Sequence, residues 1–343
     1  MSAFRRPHST RWAAAALYHS HLLRALSSLA GRLEGTPKFQ ILTYHRVNDH
    51  DDPFFGALPT EVFERQMRYI ARAYDVLPLD VLVESLASGR MHRNALAITF
   101  DDGYKDTLTH AAPILARHRI PATVFLTTGF IGTEDVPWFD RLAMAFKTTA
   151  AGSVITPWGT RLALGRQAER LAALDTTLRF LKTVPHDALE HHVENLLSRI
   201  GMPDLTSFKD AMLTWDDVHA LVGLGFAIGA HTVTHPILSR VSMDRARREI
   251  VGSRDAIVTA LGRPPRAFAY PNGRAIDYTH AVRHLVQQAG FACAVTTRFG
   301  VNTRQTPAFE LHRGGPWERD IPTFALKLAA YRLFPGRFTA PIE

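Results

Sequence analysis

Apolar residues gather along this chain in short runs that end on polar side chains. Phe39-Gln40-Ile41-Leu42-Thr43-Tyr44 runs into His45, Ala95 to Phe100 into Asp101, Phe226 to Ala230 into His231, and Ala267 to Tyr270 into Pro271-Asn272. Runs of this length and composition predict buried strands, and Ala122 to Thr127 and Phe291 to Thr296 read the same way. Between them the spacing turns helical. Val62, Phe63, Met67, Tyr69 and Ile70 mark a helix over 60–73, followed by Leu108 to His118, Asp244 to Leu261 and Asp277 to Ala289. Strand and helix in alternation predict parallel βαβ units. Polar residues directly after the strands predict the catalytic rim of an α/β barrel. Residues 138–212 break the rhythm: helix signals dominate, no strong strand lies between Ile155 and Met212, and the stretch reads as a helical insertion.

Composition adds bounds. The 343 residues are 46% hydrophobic and 21% charged, enough for a sizeable core. The lone Cys293 excludes an intrachain disulfide and a cysteine-cluster metal site, and its apolar run Gly290 to Val295 makes it a small core residue. The net charge of +8 comes mostly from arginines scattered along helices, without a basic stripe interleaved with aromatics. Nucleic acid is therefore not expected as a partner, whereas an anionic membrane surface or an acidic, carrier-linked sugar stays open. No apolar stretch reaches the roughly 20 residues that span a bilayer. Arg5, Arg6 and Arg11 precede Trp12 to Tyr18, but His19-Ser20-His21 is too polar for a signal-peptide core, so residues 12–32 read as an amphipathic helix. The expected location is the cytoplasm or the periphery of the cytoplasmic membrane rather than secretion. The tail from Phe324 to Leu333 has one apolar and one basic face, suiting core packing or membrane contact.

Chemistry concentrates at the strand ends. Asp101 and Asp102 repel one another, and burial at a strand end desolvates both, which a divalent cation relieves. An ordinary solvated Asp-Gly turn is the competing reading. His231-Thr232-Val233-Thr234-His235 offers two imidazoles four residues apart that can converge on one metal. The spacing alone proves little among 17 histidines: His280 and His284 repeat it, and His191-His192 also sit in a helical stretch, both without a carboxylate at a strand end. Together, one Asp and two His make a facial metal triad, leaving the second Asp as a general base toward the activated water.

Here the sequence resembles a family. Leu96-Ala-Ile-Thr-Phe-Asp-Asp-Gly-Tyr-Lys-Asp106 resembles the first motif of the NodB-like polysaccharide deacetylases (carbohydrate esterase family 4). Gly229-Ala-His-Thr-Val-Thr-His-Pro236 resembles the second, and Phe268-Ala-Tyr-Pro-Asn-Gly273 the third, in one branch's variant form. Ile41-Leu-Thr-Tyr-His-Arg-Val47 resembles the N-terminal signature of that branch, which includes poly-N-acetylglucosamine deacetylases. The resemblance implies that Asp101 is the catalytic base and that Asp102, His231 and His235 bind the metal. It implies a circularly permuted motif order that assigns the general acid to His45, and a backbone N–H at Asn272 that holds the oxyanion. Many members carry an Arg that orients the base where this chain has Ala269. Arg266 and Arg274 are the nearby substitutes, and what tunes Asp101 is left open. His312-Arg313 lacks the spacing of the family's late acid motif and is set aside.

The expected fold is thus α/β, an irregular seven-stranded (β/α) barrel of NodB-like type over 36–320. An N-terminal helix over 1–35 precedes it, and a helical tail over 321–343 follows. The expected reaction is metal-dependent hydrolysis of an N-acetyl group on a saccharide, with zinc as the metal and cobalt or nickel as alternatives. Tyr270, Pro271 and Trp215 are the candidates for contacting sugar, although the area a Trp buries favours a core role for Trp215. Pro137-Trp138-Phe139-Asp140 opens the insertion and is placed to shape the groove. A deformylase or O-deacetylase of a lipid-linked saccharide is the first alternative. A non-catalytic carbohydrate-binding relative is the second, and the intact Asp-Asp-His-His set argues against it. No obligate protein partner is evident.

Overall fold

The computed structural model describes residues 37–89, 92, 94–315 and 318–333, so the helix expected over 12–32 lies outside the described residues. Six strands appear as read, within a residue or two: β1 (Phe39–Tyr44), β3 (Ala95–Phe100), β4 (Ala122–Leu126), β7 (Ala227–Ala230), β8 (Ala267–Ala269) and β9 (Cys293–Val295). They form a curled parallel sheet in the order β1-β3-β4-β7-β8-β9. The two-residue strand β2 (Asp75–Val76) adds a seventh member beside β3, too short to carry a period of its own. Nearly every residue of the six main strands is buried, as expected of parallel strands covered on both faces.

Sequence position and sheet position disagree in one informative place. The sheet path leaves β9 and β1 without a ladder between them. An irregular segment over 302–314 bonds to both edges instead. Asn302 exchanges backbone hydrogen bonds with Phe39 at 3.0 and 2.8 Å, Leu311 bridges Val295, and the Gly314 N–H donates to the Ile41 carbonyl at 3.1 Å. This filler brings the residue before Gly314 into the barrel.

Helices cover the outside: α1 (Thr60–Ala73), α2 (Leu79–Ser88), α3 (Ala112–His118, entered through a π-helical turn at Thr107–Ala111), α7 (Trp215–Gly223), α8 (Met243–Leu261) and α9 (His280–Gln288). Thr214 caps α7 in a capping box with Asp217. Helix α9 starts three residues after the expected Asp277, because the Asp277 carboxylate accepts from Arg274 and Thr279 caps the helix. Residues 138–200 build α4 (Trp138–Thr148), α5 (Gln167–Leu181) and α6 (His186–Ile200) around a separate core of Leu142, Phe146, Leu174, Leu181, Leu196 and Leu197. A short hairpin, β5 (Ser153–Ile155) with β6 (Arg161–Ala163), lies inside the stretch read as a helical insertion, its second strand beyond Ile155 where no strong strand was expected. The last helix, α10 (Ile321–Leu333), buries Phe324 and Leu328 in the main core, with Phe324 edge-on to Tyr69 of α1. Among the described residues no helix is long and apolar enough to cross a membrane.

Candidate active site

The C-terminal ends of β1, β3, β7 and β8 deliver His45, Asp101-Asp102, His231 and Asn272 to one rim. The chain turns there with left-handed backbone. Among the described residues six non-glycines have positive φ, and four belong to this rim: Asp102 (73°), Thr232 (67°), His235 (61°) and Asn272 (57°). Such conformations cost about 1–3 kcal/mol each and cluster where geometry serves chemistry. Gly103 is required by the same turn: its φ is 88°, and a Cβ there would sit 2.9 Å from Ile131 Cδ1.

The two carboxylates are both buried but live in different surroundings. Asp101 meets Arg313, whose Nη1 and Nη2 donate to Oδ1 and Oδ2 at 2.6 and 2.5 Å. Arg313 is itself fully buried, and its Nε donates to the Thr296 carbonyl and its Nη1 to Thr43 Oγ1. Burial alone would raise the Asp101 pKa. The Arg313 charge, the His231 side chain and the fork of hydrogen bonds outweigh it and hold the group well below the usual carboxylate range. Arg313 is therefore the partner that the sequence left unassigned. Neither substitute named there serves: Arg266 pairs with Glu84 at 2.6 Å and Arg274 with Asp277 at 2.9 Å. The segment bearing His312-Arg313 had been set aside as a source of an acid. What it supplies is the guanidinium, carried in by the barrel-closing filler.

Asp102 has no such partner. Its buried Oδ1 accepts no hydrogen bond, and it lies 3.6 Å from His231 Nε2 and 3.5 Å from His235 Nε2. Burial raises its pKa, and the charges of Asp101 and Asp140 raise it further. His231 Nδ1 lies 2.7 Å from the Ala269 carbonyl and donates to it, which leaves the Nε2 lone pair facing the carboxylates. Burial pulls the His231 pKa down to about 4 against the opposing pull of Asp101, and His235 is depressed by burial and by His231. Both rings are thus neutral near pH 7. A buried, orphaned carboxylate oxygen facing two neutral imidazole nitrogens fits a divalent cation, and the three donor atoms lie within 4.8 Å of one another. His280 and His284, by contrast, lie exposed on α9, and His191 faces solvent on α6.

His45 stands at the mouth with its side chain 49% exposed, Nε2 4.0 Å from Asp101 Oδ2. Asn272 is half-buried, and its carbonyl accepts from Thr297 Oγ1. Of the sugar-contact candidates, Tyr270 is buried, stacked on Tyr278 at 4.2 Å with its hydroxyl donating to the Phe309 carbonyl. Pro271 is buried as well, and Trp215 packs half-buried against the main core. From the insertion, half-buried Phe139 lies edge-on to His235 at 5.2 Å. Next to it, Asp140 accepts from Arg46 at 2.8 Å and from the Tyr104 hydroxyl at 2.9 Å, and the Arg46 guanidinium sits 3.7 Å over the Tyr104 ring. This buried network ties the first residues of the insertion to the Tyr-His-Arg-Val and Asp-Asp-Gly-Tyr loops. Its members were visible in the motifs, but their pairing was not.

A family model described as polysaccharide deacetylase matches residues 88–294, more than half of the chain and all of the rim except His45 and Arg313. YxkH of Bacillus subtilis (strain 168), named as a polysaccharide deacetylase, is 20% identical over 284 residues, covering 82% of this chain and 72% of that protein. The poly-beta-1,6-N-acetyl-D-glucosamine N-deacetylase of Staphylococcus aureus (strain MSSA476) is 27% identical over 117 residues. That match covers 30% of this chain and only 40% of the relative. The fold is similar to that of the Streptococcus pyogenes deacetylase PplD, solved in complex with acetate, with a TM-score of 0.54 at 18% identity over 81% of this chain and 92% of that one. The chain belongs to the polysaccharide deacetylase family and is a deacetylase-type hydrolase.

Proposed function

We propose that this protein removes N-acetyl groups from a saccharide, either a polymer of N-acetylated amino sugar or a carrier-linked precursor. The observation that carries the reading is the division between two adjacent buried carboxylates. Asp101 is held ionised by Arg313, and Asp102 is turned with an unpartnered oxygen toward His231 and His235. The name of the Staphylococcus aureus relative supports an N-acetylglucosamine substrate.

Asp102, His231 and His235 are the residues that would hold a divalent cation, with zinc favoured by the mixed nitrogen and oxygen donors. When bound, the cation supplies Lewis-acid polarisation of the acetyl carbonyl and an acidified water. Asp101, kept as an acceptor by its guanidinium partner, takes the proton from the attacking water. As the carbon–nitrogen bond breaks, His45 at the mouth delivers a proton to the leaving sugar amine, and acetate departs. The N–H of Asn272, set by its left-handed backbone, is assigned to the developing oxyanion. The donor is then drawn from the N-terminal signature, in a permuted motif order.

The test is acetate release by the zinc-loaded protein from N-acetylglucosamine polymers and lipid-linked sugars. Acetate with a matching gain of free amine is the expected result. Formate release, or acetate without new amine, would replace the reading with deformylation or O-deacetylation.

A further inference from the structure

The loop that carries both histidines is held by a group outside every motif named so far. Between His231 and His235 the chain reverses through two left-handed residues, so the N–H groups of Val233 and Thr234 point the same way. Consecutive N–H groups arranged like this form a small anion-binding nest. Glu249, on the second turn of α8, fills it. Its Oε2 accepts from Val233 N at 2.9 Å and Thr234 N at 2.8 Å, and its Oε1 accepts from Thr234 Oγ1 at 2.6 Å.

The opposite side of the loop is bonded too. Thr128 N donates to the Thr232 carbonyl at 3.1 Å and Gly129 N to the Val233 carbonyl at 2.8 Å. A Cβ at Gly129 would lie 2.6 Å from that carbonyl, so the approach is as close as a backbone allows. The N–H and the carbonyl of Val233 are therefore both used; Glu249 takes the Val233 and Thr234 amides, while Thr232 Oγ1 accepts from the His235 N–H at 3.0 Å.

The Glu249 side chain is 7% exposed. A buried carboxylate needs a countercharge, and Arg245 provides one at 3.9 Å from one turn earlier on α8. Arg245 in turn reaches Glu190 at 2.8 Å and Asp187 at 3.4 Å on α6, and Glu190 lies 3.1 Å from the buried His186. The clamp on the histidine loop is thus continuous with the insertion.

We infer that Glu249 is a positioning residue for the metal site, fixing the two imidazoles through the Val233 and Thr234 amides, with Arg245 linking that clamp to the insertion. Without the carboxylate the two amides lose their acceptor inside the protein. The loop would then relax toward water and open the angle between His231 and His235. This rests on the metal-site reading above but not on the identity of the substrate.

The experiment is cobalt titration of wild type, Glu249→Ala and Glu249→Gln, read by visible absorption and by competition with a chelator. The melting temperature of each metal-free protein is measured alongside. Partners of metal ligands typically govern 10–100-fold in affinity, so Glu249→Ala is expected to bind cobalt at least about 10-fold more weakly with an altered spectrum. Glu249→Gln keeps the shape and one acceptor and should fall between. It also carries the test if the alanine variant does not fold. Wild-type affinity and spectrum in a folded variant would overturn the inference, as would a loss of cobalt that only tracks unfolding of the metal-free protein. A wild type that binds cobalt but releases no acyl group from any saccharide, with variants that lose cobalt, would sustain Glu249 and overturn the substrate reading. A wild type that takes up no cobalt would overturn both.

Discussion

The chain carries the His-x-x-x-His spacing at two places on neighbouring layers of the barrel. His280 and His284 stand one turn apart on α9, both exposed to solvent. His231 and His235 have the same separation in sequence but sit in a turn after β7, with two left-handed residues, buried walls and a carboxylate 3.5–3.6 Å away. The first pair costs nothing to hold and can hold little. The second is expensive: two desolvated imidazoles, a carboxylate without a hydrogen-bond partner on one oxygen, and strained backbone. A fold retains such a cluster only if something offsets its cost, and a divalent cation would do so by giving all three donors a partner. Spacing is thus a weak sign of a metal site, and the cost of the surroundings a strong one.

The comparison can be broken most directly by deleting donors. His231→Ala or Asp102→Ala should abolish stoichiometric metal binding and lower acetate release by more than about 100-fold, since even indirect supports of such ligands govern 10–100-fold. Retention of metal by either variant in elemental analysis would remove the triad from consideration. Asp101→Asn should lower kcat by about 100-fold or more, the scale of general base catalysis, while binding cobalt nearly as well as wild type. A parallel loss of cobalt would mean that the two carboxylates do not divide the work.

His45→Gln should slow turnover by about 100-fold with metal content unchanged, the lower end of the range for a proton donor. An unchanged kcat would return His45 to a bystander at the mouth. A smaller change, and one read in its pH dependence, is expected from Arg313→Lys. The Asp101 pKa is depressed in the folded protein, so its stabilising contribution is present above the unfolded pKa and lost as pH falls through the folded one. Losing the guanidinium fork raises that pKa, so both the acid limb of kcat/KM and the acid unfolding transition should move toward neutral. Limbs superimposable on wild type would disconnect Arg313 from the base. The smallest effect belongs to the control pair: His280→Ala and His284→Ala should alter neither metal content nor stability by more than about 0.5 kcal/mol.

Much of this was legible in the order of residues. The strands at 39–44, 95–100 and 122–126 and the helix at 60–73 followed from local periodicity, because apolar runs and helical spacing are properties of neighbours along the chain. The rim residues Asp101, Asp102, His231 and His235 were also visible, since Asp101-Asp102 and His231 follow a strand end directly and His235 repeats the imidazole four residues on. What escaped was of two kinds. The hairpin of β5 and β6, and the two residues of β2, are too short to show a period. The partners of the rim were hidden for a different reason. Arg313 is 212 residues from Asp101, Asp140 is 94 from Arg46, and Glu249 sits a helix turn inside α8 with an ordinary helical neighbourhood.

The amino-acid sequence by itself therefore determined which chemical groups stand at the strand ends and how the strands alternate with helices. The tertiary structure decided what each group became. Two adjacent aspartates are indistinguishable as letters; one faces a guanidinium delivered by the segment closing the barrel, the other two neutral imidazoles. Local patterning depends on contacts within a few residues. The protonation and ligand roles of a buried charge depend on which distant residues share its low-dielectric surroundings, and only folding chooses those.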